Sequence, residues 1–251
     1  MANNLKQILQ KGKPALGAWL ACSDPYFVEM MGGLGFDWLV IDMEHIPISQ
    51  EGLRTMLMAC KGSESVPVVR VSLNSRNYIQ SALDLGAQGV MVPMVNCRAD
   101  AEKAVEFARY PPLGKRGLGP VRAGEYGKND SAYRASANEE VLLFVQIETP
   151  EAVQNIKEIL SVKGIDGLFI GPQDLAADLG QLGNPGHAEV QAAMADAIAR
   201  IKKTGKAPGL LNFNEADAKQ WIERGALFVA VTSDQFLLAR ETSAVAARFK
   251  G

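Results

Sequence analysis

Eight short apolar runs recur along the chain, and they constrain its fold more than any other feature of the sequence. They lie near residues 15–21, 38–42, 66–71, 89–94, 141–147, 166–171, 207–212 and 226–232. Most are continuous rather than alternating, which is typical of parallel strands covered on both faces. Helical patterns separate most of them, for example at 101–109, 150–160, 187–204 and 214–224. Eight strands alternating with helices in 251 residues favour one α/β domain over residues 1–251, a (β/α)₈ TIM barrel rather than a doubly wound sheet.

Charge, hydropathy and cysteine usage exclude several classes of protein. The net charge is −2, and no long basic run is present, so nucleic acid is not expected as a partner. No apolar stretch approaches the roughly 20 residues that span a bilayer, so no membrane span is expected. Cys22, Cys60 and Cys97 are well separated and form no Cys-x-x-Cys pair. They are typical of reduced thiols in a cytoplasmic protein.

Polar residues follow several of the apolar runs at the point where each strand should end. The second run leads into Asp42-Met-Glu44-His45, and the third ends in Arg70. The fifth leads into Glu148, and the sixth is followed by Asp174. In barrels of parallel strands, catalytic groups gather at the C-terminal strand ends, so these side chains are predicted to share one open face.

Glu148 and Asp174 are candidate metal ligands. They follow consecutive strands, so they should lie side by side at the mouth of the barrel. Two adjacent carboxylates suit a hard divalent cation such as Mg²⁺ or Mn²⁺, with water or substrate oxygens completing the shell. The alternative is that each carboxylate caps a helix N-terminus, where acids are also favoured. Their neighbouring positions at the barrel mouth favour metal binding over helix capping.

Arg70 and His45 are the candidate groups for charge stabilisation and proton transfer. A guanidinium at a strand end can hold an anionic oxygen, although a structural ion pair with Asp42 or Glu44 is an alternative and both roles can coexist. His45 is the one imidazole predicted near these strand ends. It is the natural general base, with a purely structural histidine as the alternative.

The segment from residue 110 to 138 interrupts the alternation of strands and helices. Its first part is rich in Gly, Pro and Arg, and it is too long for a plain connection. Such long segments in compact domains are usually functional or disordered. It joins the fourth and fifth strands, so we expect it to cross the open face as a substrate lid or to form a subunit contact. Arg116, Arg122 and Tyr126 are its candidate substrate contacts.

The sequence lacks the residues that several other classes of enzyme require. No strand run ends in the lysine that a Schiff-base aldolase needs. A Gly-x-Ser-x-Gly elbow is absent, and no Gly-x-Gly-x-x-Gly follows a strand, so a serine hydrolase and a nicotinamide enzyme are unsupported. The remaining set of metal, arginine and histidine can polarise a carbonyl, stabilise an enolate and move a proton.

The chain resembles the HpcH/HpaI family of metal-dependent, class II pyruvate aldolases along essentially its whole length. The matching motifs are Asp42-x-Glu44-His45, Arg70 after Pro-Val-Val, Arg109-Tyr-Pro-Pro-x-Gly-x-Arg-Gly, Gln146-Ile-Glu148, Asp166-Gly-Leu-Phe-Ile-Gly-Pro-x-Asp174-Leu-Ala and Phe228-Val-Ala-Val-x-Ser-Asp234. Each motif alone is weakly specific, whereas their ordered combination is highly specific. The resemblance implies reversible cleavage of a 4-hydroxy-2-oxo acid to pyruvate and an aldehyde.

The resemblance also implies residue roles. Glu148 and Asp174 would bind Mg²⁺, Mn²⁺ or Co²⁺, Arg70 would stabilise the enolate oxygen, and His45, paired with Asp84, would act as acid and base. Asp42 and Glu44 would hold these catalytic residues in position. The implied substrate-binding residues are Arg70, Gln146, Gly171, Pro172, Gln173 and Asp174. Family members are commonly hexamers that exchange a helix, so a homo-oligomer with an exchanged C-terminal helix at 235–249 is expected.

Two residues depart from the family pattern. Met43 stands where the family commonly has Gly, and Gln173 stands where Ser is frequent. Both affect the expected specificity more than the expected reaction. Two other functions stay open: a CoA-ester lyase of the citryl- or malyl-CoA type, and a non-catalytic oxo-acid binding protein. A CoA pocket usually needs a longer chain and more basic residues, and the intact set of Arg70, His45, Glu148 and Asp174 argues against loss of catalysis.

Overall fold

The fold, described here for residues 3–250 of a computed structural model, is a closed barrel of eight parallel strands in the order β1 to β8. The strands are Ala15–Leu20, Trp38–Asp42, Val66–Arg70, Gly89–Val92, Leu142–Ile147, Gly167–Ile170, Ala207–Leu211 and Phe228–Ser233. All eight fall on the predicted apolar runs, so the (β/α)₈ prediction is confirmed.

Twelve α-helices, α1 to α12, accompany the strands within the described range. They are Asn4–Gln10, Pro25–Gly32, Gln50–Ala59, Arg76–Asp84, Arg98–Ala108, Asp130–Glu140, Pro150–Gln154, Ile156–Leu160, Pro172–Asp178, Ala188–Lys202, Glu215–Arg224 and Asp234–Lys250. The predicted helix over 150–160 is two helices that meet at Asn155, whose side-chain amide donates to the Asn96 carbonyl. None of the helices in residues 3–250 is both long and apolar enough to cross a bilayer.

Aromatic rings fill the interior of the barrel. Phe228 stacks on Trp38 and on Phe144, with ring centroids 3.8 and 4.0 Å apart. Gly17 makes room for this stack, because a Cβ at that position would lie 2.1 Å from the Trp38 ring. Leu5 of α1, which is fully buried, packs against the same cluster. The interior is therefore a packed core, and the space for chemistry lies above it, at the C-terminal strand ends.

Residues 110–138 do not cross the open face, so that sequence-based expectation is wrong. The segment follows α5, which has already returned the chain to the N-terminal side, and it contains a 3₁₀ turn at Glu125–Gly127 and most of α6. Arg122 donates to the carbonyl of Leu57, in the last turn of α3, and to that of Leu85, directly after α4. The alternation of strands and helices predicts correctly that the segment joins the fourth and fifth strands. In a barrel, however, connections that follow a helix lie on the N-terminal face, opposite the open face formed by connections that follow a strand.

Candidate active site

The ends of β2 and β3 bring a carboxylate, Asp42, and a guanidinium, Arg70, into direct contact. Parallel pairing places Asp42 opposite Arg70, the last residues of the two strands. Arg70 donates from Nε and Nη2 to the two carboxylate oxygens of Asp42, at 2.9 and 2.6 Å. Both side chains are buried. Burial opposes ionisation of Asp42, but the hydrogen bonds and charge of Arg70 outweigh it and hold the pKa of Asp42 below its usual range.

Glu44 connects this pair to His45. Its Oε2 lies 3.1 Å from Arg70 Nη1 and 3.8 Å from His45 Nε2. The contact with Arg70 is a close ion pair without hydrogen-bond geometry, since this buried oxygen has no hydrogen-bond partner. Burial raises the pKa of Glu44, Arg70 lowers it, and the charges of Asp42 and Asp174 raise it again. His45 follows the C-terminal end of β2, and its side chain is 63% exposed, so it is open to solvent.

Glu148 follows β5 and is held on two sides. Its Oε1 accepts the backbone N–H of Met94 at 2.8 Å, and its Oε2 accepts from Gln146 Nε2 at 3.3 Å. Met94 adopts a positive φ of 53°, which is uncommon for a residue other than glycine and aims its N–H at the carboxylate. Gly171 leaves room on the third side, because a Cβ there would lie 2.6 Å from Glu148 Oε2.

The segment Gly171-Pro172-Gln173-Asp174 forms the neighbouring part of the rim. Gly171 is the N-cap of α9, and Asp174 lies in the first turn of that helix. Gly171 and Pro172 are buried, whereas Gln173 and Asp174 are exposed at the mouth. The sequence departure at Gln173 therefore places an amide where it can meet whatever binds beside Asp174.

The negative charges at this mouth are not fully balanced. The pKa of Glu148 is raised to about 7, mainly by burial. The charges of Glu44 and Asp174 raise it further, whereas the Met94 hydrogen bond and the charge of Arg70 lower it. Arg70 is also already engaged by Asp42 and Glu44. A carboxylate whose ionisation is opposed by burial and by like charge is a good ligand for an added cation.

The residues present fit a hard divalent cation. Glu148 and Asp174 offer carboxylate oxygens, and the buried Gln146 Oε1 has no hydrogen-bond partner. Within residues 3–250 no group of three or more His, Cys, Asp or Glu side chains forms a complete metal cage. Two carboxylates with further positions left to water or substrate are the usual arrangement for Mg²⁺.

The stability of the metal-free protein is expected to fall as the pH rises from about 4.5 to 7. Over this range the unfolded chain has lost the Glu148 proton while the native state still holds it, because the native pKa is about 7 against 4.5. Raising the pH therefore favours unfolding, by about 2 kcal/mol for this group. Urea unfolding at pH 5 and pH 7.5 measures the change. Glu148→Gln should flatten the dependence, whereas the exposed control Glu158→Gln should preserve it. An unchanged dependence in Glu148→Gln would contradict the assignment.

Asp84 is not brought to His45 within this chain. It is the last residue of α4, which has carried the chain away from the mouth. Its carboxylate pairs with Arg116 at 2.7 Å, and Arg116 lies between the rings of Tyr110 and Tyr133. The expectation for Arg116 as a substrate contact is likewise not met at this mouth, because the guanidinium is buried in this cluster.

Two residues that shape the site, Trp19 and Met94, were missed by the sequence analysis. Trp19 lies on β1 with the Arg70 guanidinium 4.7 Å above its ring, and its indole N–H donates to Asp42 Oδ2 at 3.2 Å. Met94 acts through its backbone. For Trp19, a tryptophan near the end of an apolar run is a weak clue. The positive φ of Met94 could not be foreseen from its side chain.

Comparisons with known proteins agree with one another over nearly the whole chain. The model of the HpcH/HpaI aldolase/citrate lyase family matches residues 15–240. A Shigella flexneri protein named 4-hydroxy-2-oxo-heptane-1,7-dioate aldolase is 49% identical over 251 residues, which are 99% of this chain and 94% of the relative. An HpcH/HpaI aldolase/citrate lyase family protein from Burkholderia cenocepacia J2315 superposes with a TM-score of 0.95 at 36% identity, covering 100% of both chains. Citrate synthase SbnG superposes with a TM-score of 0.89 at 29% identity, covering 98% of this chain and 97% of its own.

Proposed function

The chain belongs to the HpcH/HpaI aldolase/citrate lyase family, and from this premise we propose that it is a class II aldolase cleaving 4-hydroxy-2-oxoheptane-1,7-dioate. The products are pyruvate and a semialdehyde, and the reaction is reversible. The observation that carries the proposal is the shared mouth of a fixed Arg70 guanidinium and the carboxylates of Glu44, Glu148 and Asp174. The 49% identical relative supports the choice of substrate.

Glu148 and Asp174 are the residues that would hold the divalent cation, which we propose to be Mg²⁺, Mn²⁺ or Co²⁺. When bound, such an ion supplies Lewis-acid polarisation of the substrate keto group. Gln146 and the segment Gly171-Pro172-Gln173-Asp174 line the same mouth and bind the oxo-acid portion of the substrate. Met94 holds Glu148 in place through its backbone N–H.

Cleavage breaks the bond between C3 and C4 of the substrate. His45 takes the proton from the C4 hydroxyl as that carbon becomes an aldehyde, and the bonding electrons pass to C3 to give the enolate of pyruvate. Arg70 stabilises the negative charge on the enolate oxygen, a charge that grows only as the bond breaks. Protonation of C3 then gives the methyl group of pyruvate, and synthesis follows the reverse order.

The proposal is tested by pyruvate release from 4-hydroxy-2-oxoheptane-1,7-dioate, followed through lactate dehydrogenase. We expect release by the metal-loaded protein and none after EDTA treatment. Faster release from a 2-keto-3-deoxy sugar acid would retain the reaction and replace the substrate. Pyruvate binding with no cleavage of either compound would contradict the proposal and favour an oxo-acid binding protein.

His45→Ala is expected to slow aldol cleavage more than it slows proton exchange at the methyl group of pyruvate. Cleavage needs a base at the C4 hydroxyl, whereas water in the open mouth can substitute at the methyl group. General bases typically contribute about 10²–10⁴-fold. Parallel assays of both reactions measure the difference, with His45→Gln as a variant that keeps side-chain volume. Equal losses in both reactions would contradict the role assigned to His45.

We further propose a homo-oligomer, a hexamer by family resemblance, in which the C-terminal helix is exchanged. Support comes from α12, where only Asp234 is buried. The helix exposes Phe236, Leu238, Val245 and Phe249. An apolar helix surface without cover is a common feature of subunit contacts.

A cytoplasmic location is proposed on the chemistry of the thiols. Cys22, Cys60 and Cys97 are all free in the structure. Free cysteines are typical of proteins in reducing compartments.

A further inference from the structure

The Arg70 guanidinium lies over the indole ring of Trp19. Its central carbon lies 4.7 Å from the Trp19 ring centroid, within the range of a cation–π contact. Trp19 is 5% exposed and Arg70 is 6% exposed, so the contact is largely shielded from water. Such contacts are stronger when desolvated.

Trp19 also holds the partner of Arg70. Its indole N–H donates to Asp42 Oδ2 at 3.2 Å, the same oxygen that accepts from Arg70 Nη2 at 2.6 Å. The ring is itself supported by Phe169, whose centroid lies 5.6 Å away. The Trp19 side chain therefore contacts the face of the Arg70 guanidinium and also holds the Asp42 carboxylate that pairs with the edge of that guanidinium.

This arrangement leaves one guanidinium nitrogen outside the Asp42 pair. Nε and Nη2 both donate to Asp42, and Nη1 lies 3.1 Å from Glu44 Oε2. A free arginine side chain loses substantial rotamer entropy when it is fixed. A donor that is fixed before the reaction stabilises a developing charge without that cost.

We propose that Trp19 is a positioning residue that fixes Arg70 for stabilisation of the enolate, acting through the face of the guanidinium and through Asp42. The inference rests on the proposed function, since it concerns the charge formed in that reaction. Because Arg70 acts on charge that develops only in the transition state, loss of Trp19 lowers kcat rather than raising KM.

The test compares variants in the exchange of pyruvate methyl protons in D₂O, measured with the metal-loaded full-length protein. Trp19→Leu removes both the ring and the N–H, and we expect kcat to fall about tenfold with KM for pyruvate within about twofold. Trp19→Phe keeps an aromatic floor and loses the N–H, so it should recover part of that loss.

Phe144→Leu is the matched control, because it also removes an interior ring but stacks on Phe228 rather than on Arg70. It should lower the Tm as Trp19→Leu does and keep kcat within about twofold of wild type. Equal kcat losses in the two leucine variants, or a change confined to KM, would overturn the inference. If Trp19→Leu does not fold, an unchanged kcat in Trp19→Phe overturns it. Exchange absent in the wild type overturns the proposed function and this inference together.

Discussion

Glu148→Ala and Asp174→Ala are each expected to lower the cleavage rate by about 10³-fold or more, with loss of tight metal binding. Each substitution removes one of the two carboxylates assigned to the cation. Glu148 is the more constrained of the two, because Met94 and Gln146 hold its carboxylate in place. Titration with Mn²⁺ and the pyruvate-release assay measure the two effects.

Asp178→Ala serves as the control for Asp174→Ala. Asp178 is an exposed carboxylate on the same helix, α9, at its opposite end. Its loss should change neither metal affinity nor cleavage by more than about twofold. Wild-type metal affinity in both Glu148→Ala and Asp174→Ala would overturn the assignment of the metal site.

Arg70→Ala is expected to lower kcat by about 10²–10³-fold while metal affinity is retained. The guanidinium provides the positive side-chain charge at the mouth, and the enolate oxygen would lose it at the step where negative charge appears. The substitution also leaves Asp42 buried without its partner, which typically costs about 3–5 kcal/mol. Steady-state kinetics and thermal unfolding separate the two consequences.

The double variant Arg70→Ala/Asp42→Asn distinguishes catalysis from folding. Neutralising Asp42 removes the unpaired buried charge, so the double variant should unfold at a higher temperature than Arg70→Ala. Its cleavage rate should nevertheless remain at the level of Arg70→Ala. Recovery of activity together with stability would mean that Arg70 has only a structural role.

The barrel could be predicted from sequence because its signal is repeated eight times. A strand buried on both faces must be apolar throughout, and all eight such runs were visible in the chain. The strand ends were equally informative: Asp42 and Arg70 were expected on adjacent strands, and the parallel register brings them opposite each other. Metal occupancy and the roles of the site residues stay predictions.

The remaining features depend on three-dimensional detail that residue types do not encode. Trp19 is one more apolar residue of β1 until the direction of its ring and N–H is known. Met94 contributes a backbone N–H through a rare φ value. The expectation that 110–138 crosses the open face is wrong because length and composition carry no information about the direction of the preceding helix, α5. Asp84, whose pairing with His45 was implied by the family resemblance alone, lies at the end of α4.

The central claim is that this mouth forms the enolate of pyruvate, and proton NMR of pyruvate in D₂O tests it most directly. Metal-loaded protein should remove the methyl signal as deuterium enters, and the EDTA-treated protein should leave it intact. Arg70→Ala with bound metal should slow the loss by about 10²-fold or more. Persistence of the signal in the presence of metal-loaded wild-type protein that binds pyruvate would contradict the account.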